Sequence, residues 1–278
     1  MLVTLKKIID ELGENQAVPA FNVYGYEDTK VVLDVASSLG APAVLMTNRD
    51  AVMHMGSRNL CNLLKSIGED YDIPICIHLD HAKSMEEIEE AVKSGYTSVM
   101  YDGSNLPLNE NIENTSRIVQ FAKKYNVSVE GEIGSVGYSD PNIKIQGKYT
   151  DVEEAKIFYD ETKVDILAVA VGTLHRMTGQ EAVINYELLN DIEKKLDVPL
   201  VIHGSTGVKN KDLIQLAKTT VKKVNIGTAV RMTFGKSLKS QFNTEEFDRI
   251  KLFEKPMKDI EGVILEKYKL LGFKKTSY

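Results

Sequence analysis

The sequence has no tryptophan and only two cysteines, Cys61 and Cys76. Two thiols cannot staple a disulfide scaffold, and Cys76 lies inside the apolar run Ile73-Pro-Ile-Cys-Ile77, where it reads as a small buried hydrophobe in a reducing compartment. No apolar run approaches the ~18 residues of a membrane span. The opening stretch Met1–Gly13 places a lysine pair early and lacks a small-residue cleavage pattern, so secretion is not expected and a cytoplasmic location is. A basic excess is missing too. The formal net charge is −6, which argues against a nucleic-acid partner but leaves room for a local pocket that takes a phosphorylated ligand. The Gly-x-Gly-x-x-Gly turn of dinucleotide-binding sheets is absent, which counts against an open doubly wound fold.

What the 278 residues do contain is a repeat of apolar runs. Strand candidates fall at Val18–Val23, Ala41–Thr47, Ile73–Asp80, Tyr96–Asp102, Val127–Ile133, Asp165–Gly172, Val198–Gly204 and Val221–Gly227. Most are nearly continuous in apolar residues, as parallel strands covered on both faces require. Helical patterns lie between them. Ser84 with Glu87, and Thr150 with Glu153, read as capping boxes ahead of apolar-periodic segments. Residues 111–124 put Ile112, Val119 and Ala122 on one side. Eight strands with intervening helices predict an α/β fold, a closed (β/α)8 TIM barrel. After Gly235 no strand candidate remains, and Asn243-Thr-Glu-Glu246 opens a helix-like stretch through Lys269. The expectation is one domain over 1–278, with approximately 236–278 as a C-terminal helical extension and a loose tail at Lys274–Tyr278.

Chemistry gathers at the strand ends, in His78-Leu-Asp-His81, Glu130-Gly-Glu-Ile-Gly134, Gly172-Thr-Leu-His175 and His203-Gly-Ser-Thr-Gly207. Of five histidines, His81, His175 and His203 end strand candidates, and their imidazoles can share a zinc ion with a coordination position left open. A turn after Asp80 would let both Asp80 and His81 look into the mouth. His54 and His78 read as structural or supporting residues. Glu130 and Glu132 alternate toward one face, and inward carboxylates need a proton, a partner or a metal. A second cation, divalent or monovalent, or an alternative zinc position would satisfy Glu132 and Asp102; salt bridges to inward lysines are the competing account. Small residues in Gly204-Ser-Thr-Gly207 and Gly227-Thr228 suit a phosphate at helix N-termini.

These motifs together resemble the class II, zinc-dependent ketose-bisphosphate aldolases, the family of fructose-bisphosphate and tagatose-bisphosphate aldolases. The resemblance runs from Val18-Pro-Ala-Phe-Asn22 to about Arg231. It also takes in Tyr101-Asp-Gly-Ser104, Leu167-Ala-Val-Ala-Val-Gly172, Val201-Ile-His-Gly204 and Val224-Asn-Ile226. It implies a TIM-barrel lyase of carbohydrate metabolism and glycolysis, a homodimer or tetramer, that cleaves a ketose 1-phosphate or 1,6-bisphosphate to dihydroxyacetone phosphate and an aldehyde. By resemblance, His81, His175 and His203 hold the catalytic zinc, and Asp80 exchanges a proton with the C4 hydroxyl. Asp140 helps move the C1 proton. Asn22 and Asn225 contact the dihydroxyacetone phosphate portion, Gly204, Thr206 and Thr228 surround the phosphate, and Asp102 and Glu132 mark the alternative metal position.

The chain departs from the family pattern at several points. Ser205 is bulkier than the usual residue, and Arg176 replaces the glycine that commonly follows the second zinc histidine, which adds a guanidinium that can bind phosphate. Asp140 is one methylene shorter than the usual glutamate. Ala229 stands where an acid usually reads substrate hydroxyls, while Arg231 keeps a distal phosphate in reach. Lys144 and Lys148 lie in a loop-like region and Lys222 and Lys223 begin a strand, so no lysine has a natural place for Schiff-base chemistry at a strand end. A metal-dependent sugar-phosphate isomerase or epimerase, and a non-catalytic sugar-phosphate sensor, are the alternatives.

Overall fold

A computed structural model describes residues 1–140 and 147–274. Lys144 and the tail 275–278 lie outside the described residues. All eight expected barrel strands form: β1 (Val18–Asn22), β2 (Ala43–Thr47), β3 (Ile75–Ala82), β4 (Ser98–Tyr101), β5 (Ser128–Ile133), β7 (Ile166–Val169), β9 (Leu200–Ile202) and β10 (Val221–Ile226). They pair in parallel and close in the order β1-β2-β3-β4-β5-β7-β9-β10, so the fold is a (β/α)8 barrel. Two short strands not read from the sequence, β6 (Gly137–Tyr138) and β8 (Leu174–His175), pair with each other above it.

Side-chain alternation sorts the barrel into two apolar layers. Ile75, Ile77 and Leu79 of β3 point outward into the layer beneath the helices. Cys76 points inward to Val44, Met46, Ile166, Ala168 and Val201. Burying each such Val, Leu or Ile contributes about 1.5–3 kcal/mol. Helix α1 (Leu5–Asp10) closes the lower opening with buried Leu5, Ile8 and Ile9, and the Lys6 N–H donates to Ser128 Oγ at 3.0 Å. Both cysteines are buried and free, and burial pushes the Cys76 thiol up to about 12. Toward the upper end the inward residues turn polar, which places the chemistry at one mouth above an apolar floor.

The barrel is ringed by α2 (Tyr26–Ser38), α3 (Arg49–Met55), α4 (Ser57–Gly68), α5 (Met85–Ser94), α6 (Leu108–Lys123), α7 (Val152–Thr162), α8 (Tyr186–Lys195), α9 (Asn210–Leu216) and α10 (Thr228–Gln241). Ser84 caps α5, accepting the Glu87 N–H, but the Glu87 carboxylate returns to the Lys83 N–H. The expected box at Thr150 gives way to Asp151, whose carboxylate accepts the N–H groups of Glu153 and Glu154. Thr150 is occupied elsewhere: its hydroxyl donates to Ile133 O at 2.7 Å and accepts from Ala170 N at 2.8 Å. On α6 the fully buried face is Asn111, Thr115, Ile118 and Ala122, with Ile112 and Val119 flanking it.

The last helix, α11 (Arg249–Leu270), starts at the Asp248 cap rather than at Asn243. It packs on α10 and α2. Its buried Tyr268 meets Phe21 of β1 at 5.7 Å between ring centres and donates to Pro42 O at 2.9 Å.

Candidate active site

His81 reaches the mouth through a backbone irregularity. Strict alternation would send it outward once Asp80 points in. Instead its φ is +57°, in the left-handed region, and the pairing of β3 with β4 shifts between Leu79 and Ala82. A non-glycine residue held there costs about 1–2 kcal/mol. His175 ends β8, which is zipped to β6 by Tyr138, and Ser139 donates its N–H to the His175 carbonyl at 3.0 Å. His203 follows β9 and is fully buried.

The structure brings these three histidines together: one ring nitrogen of each lies within 4.8 Å of the others. His81 Nε2 and His203 Nδ1 are 3.0 Å apart. Each of these two rings is held from behind by a carboxylate. His81 Nδ1 is 2.9 Å from Asp102 Oδ2, and His203 Nε2 is 2.8 Å from Glu130 Oε1. Carboxylates on the rear nitrogens fix ring orientation and raise basicity, the arrangement common behind metal-binding imidazoles. Burial disfavours the charged form of His81, yet Asp80, Asp102 and Glu132 around it raise its pKa to about 10. Three imidazole nitrogens within 4.8 Å of one another form a donor set that fits a divalent ion.

The remaining carboxylates separate by environment. Burial opposes ionisation of Asp80, but the nearby His81, His203 and Lys223 charges hold it at about 2. Its oxygens accept from Asn22 Nδ2 at 2.9 Å and Asn225 Nδ2 at 3.3 Å. Two amides from β1 and β10 thus aim one ionised carboxylate. Asp102 is clamped by Lys83 Nζ at 2.6 Å and by the Ser104 hydroxyl at 2.6 Å. Glu132 is driven the other way: burial and then the Asp102 charge push it up to about 8. Among the described residues its Oε2 has no hydrogen-bond partner, and it lies 3.7 Å from His81 Nδ1. His81, Asp102 and Glu132 form a second group whose donor atoms lie within 4.8 Å.

A cavity of about 370 Å³ opens above these groups. Gly204, Ser205, Thr206, Gly227, Thr228 and Arg231 line one side. Gly204 has φ +65°, and a Cβ there would sit 2.5 Å from Leu174 O. At Gly227 a Cβ would meet Asn22 Oδ1 at 2.4 Å, so glycine leaves room for the amide that holds Asp80. Thr206 Oγ1 accepts the Ala229 N–H at 3.1 Å, which ties the turn to the start of α10. Helix N-termini attract anions. Ser205 donates its hydroxyl to Asn225 O and is buried, so its side chain braces β10. Arg231 Nε is buried without a hydrogen-bond partner among the described residues, and its guanidinium lies 5.9 Å from the centre of the Tyr24 ring.

At the rim, Arg176 Nη1 pairs with Asp140 Oδ2 at 3.1 Å. The φ of Arg176 is +59°, so the backbone keeps a conformation suited to glycine although the residue is arginine.

Other residues of the site went unread in the sequence. Lys223, read from the sequence only as starting a strand with no place for Schiff-base chemistry, is fully buried inside the barrel, with Nζ 2.7 Å from Glu130 Oε2. Its position one alternation below Asn225 keeps it beneath the cavity, where the paired Glu130 satisfies it. The pairing of Glu130 is thus the salt-bridge account. His78 sits in the same layer, 2.8 Å from Ser98 Oγ; burial and the Lys223 charge lower its pKa to about 3, so it stays neutral. Lys148 pairs with Glu154 at 3.2 Å, away from the cavity. Tyr138, Asn48, Arg49 and Asn105 also line the mouth, and none of them was singled out in the sequence.

Imidazoles and carboxylates gathered at one mouth of a (β/α)8 barrel stand where enzymes of this fold keep their active sites. Comparison narrows the class of enzyme. The family model for class-II fructose-bisphosphate aldolase matches residues 3–276. The chain belongs to this family and is an aldolase, a carbon–carbon lyase. Among solved structures, the YdjI aldolase of Escherichia coli K12 is 27% identical with a TM-score of 0.87, over 98% of both chains. A putative fructose-1,6-bisphosphate aldolase of Coccidioides immitis (24% identity, TM-score 0.85, 96% of this chain and 94% of that one) shares the fold. So does the fructose-bisphosphate aldolase of Campylobacter jejuni (18%, TM-score 0.83, 99% and 97%). Among the described residues no helix is long and apolar enough to cross a membrane.

Proposed function

We propose that this chain is a zinc-dependent aldolase that reversibly cleaves a ketose 1-phosphate or 1,6-bisphosphate to dihydroxyacetone phosphate and an aldehyde. The observation that carries the reading is the convergence of His81, His175 and His203 beside an ionised Asp80 held by two amides. The three histidines would hold zinc, which supplies a Lewis acid for the substrate's carbonyl and neighbouring hydroxyl oxygens. Asp80 accepts the C4 hydroxyl proton as the C3–C4 bond breaks, and the bonding pair passes to the C2 carbonyl. Asn22 and Asn225 keep the Asp80 oxygens aimed at that hydroxyl. The carbon left behind then takes a proton, and Asp140 on the β6 side of the rim is assigned to that transfer.

Gly204, Thr206 and Thr228, with the N–H groups opening α10, receive the phosphate, and Ser205 shapes their turn. Arg176 and Arg231 supply cationic charge around the same mouth. Asp102 and Glu132 take the alternative metal position or a second cation. The whole chain is read as one cytoplasmic domain, with 236–278 as a C-terminal extension, assembled as a dimer or tetramer.

Replacing His203 with Ala tests the assignment. Zinc content and dihydroxyacetone phosphate release should fall together, and a zinc-loaded, fully active variant would defeat it.

A further inference from the structure

Beneath the mouth lies a charge pair that the proposed reaction does not use. Glu130 and Lys223 are fully buried in the barrel interior, joined at 2.7 Å. The other carboxylate oxygen of Glu130 lies 2.8 Å from His203 Nε2. His78 faces the same carboxylate, with Nε2 at 3.6 Å from Oε2, but its Nδ1 is committed to Ser98.

We propose that Glu130, braced by Lys223, is a positioning residue that keeps the His203 proton on Nε2 and so presents a bare Nδ1 to the metal site. The inference rests on the metal reading above. An ammonium has three donors and no acceptor, and a carboxylate bound to it has only acceptors to offer a second neighbour. Facing the carboxylate, His203 must donate from Nε2. Its lone pair is then on Nδ1, the nitrogen 3.0 Å from His81 Nε2. Lys223 holds one oxygen, and that leaves the other for the imidazole.

The arrangement makes an unusual demand on Glu130→Gln. The ammonium of Lys223 must still take an oxygen, and the amide has one. Its NH2 is thereby turned toward His203, which can accept only by moving its proton to Nδ1. The ligand nitrogen is then blocked. Removing the lysine as well, in Lys223→Met with Glu130→Gln, frees the amide to turn over and offer its oxygen to Nε2 again.

The test is Zn2+ affinity by chelator competition in the full-length protein. Glu130→Gln should bind about 10–100-fold more weakly than the unaltered protein, the usual loss for such a partner. The double variant should recover at least half of that loss on a logarithmic scale. A role in packing alone predicts no such recovery, so a double variant no tighter than Glu130→Gln overturns the proposal, as does an unchanged Glu130→Gln. A second measurement needs no variant: long-range 1H–15N spectra of the zinc-loaded protein should show His203 protonated at Nε2 and metal-bound at Nδ1, and the reverse overturns the proposal. Failure of the metal reading itself looks different, because the unaltered protein would then bind no zinc.

Discussion

Replacing Lys223 with methionine keeps a long unbranched side chain in the barrel but strips Glu130 of its counter-charge. At the observed 2.7 Å the pair attracts by about 6 kcal/mol at an effective dielectric constant near 20. Part of this is offset because the variant no longer buries an ammonium. Removing one member of a buried pair typically costs about 3–5 kcal/mol, because the survivor stays in the interior without its partner. At about 2–4 °C per kcal/mol for chains approaching this size, the melting temperature should fall by roughly 6–20 °C. Calorimetry near neutral pH reads this directly. The double replacement, Lys223→Met with Glu130→Gln, should regain at least half of the drop, since no uncompensated charge then remains. A single variant that melts within about 2 °C of the parent would refute the reasoning, because Glu130 would then not depend on Lys223.

Asp80→Asn should lower turnover by roughly 10²–10⁴-fold, the usual worth of a positioned acid–base group, while bound zinc stays stoichiometric. Steady-state turnover and metal analysis on one preparation check both halves, and normal turnover removes Asp80 from its role. Gly204→Ala should destabilise the protein by more than about 1 kcal/mol from backbone strain alone, with the clash at Leu174 O added; denaturant unfolding measures it. At Arg176, whose φ is +59°, glycine should be more stable than alanine by up to about 1 kcal/mol. An alanine variant as stable as the glycine one would contradict the strain assigned there.

The barrel was legible because parallel strands buried on both faces leave near-continuous apolar runs, and each of the eight appears within a few residues of its expected span. The histidine trio was legible for a related reason. His81 and His203 lie at the ends of barrel strands, whereas His175 sits on β8 beyond the end of β7, and the mouth gathers all three. The inward turn of His81 depends on a left-handed residue that strand periodicity does not encode. The Glu130–Lys223 pair joins residues 93 apart in sequence, and in Val221-Lys-Lys-Val224 alternation alone does not say which lysine faces the lumen. Thr150 and Asp151 are adjacent cap candidates, and the choice fell to Asp151 because neighbouring strands claim the Thr150 hydroxyl. The Arg176–Asp140 pair is likewise tertiary, created when β6 and β8 come together.

The most direct test of the central claim is to incubate the purified protein with a panel of ketose 1-phosphates and 1,6-bisphosphates, with and without a chelator, and measure dihydroxyacetone phosphate. Release that the chelator abolishes and added zinc restores is the predicted result, and the best substrate would show what Ala229 and Arg176 select. No release from any member of the panel, by protein shown to be folded and zinc-loaded, would contradict the account.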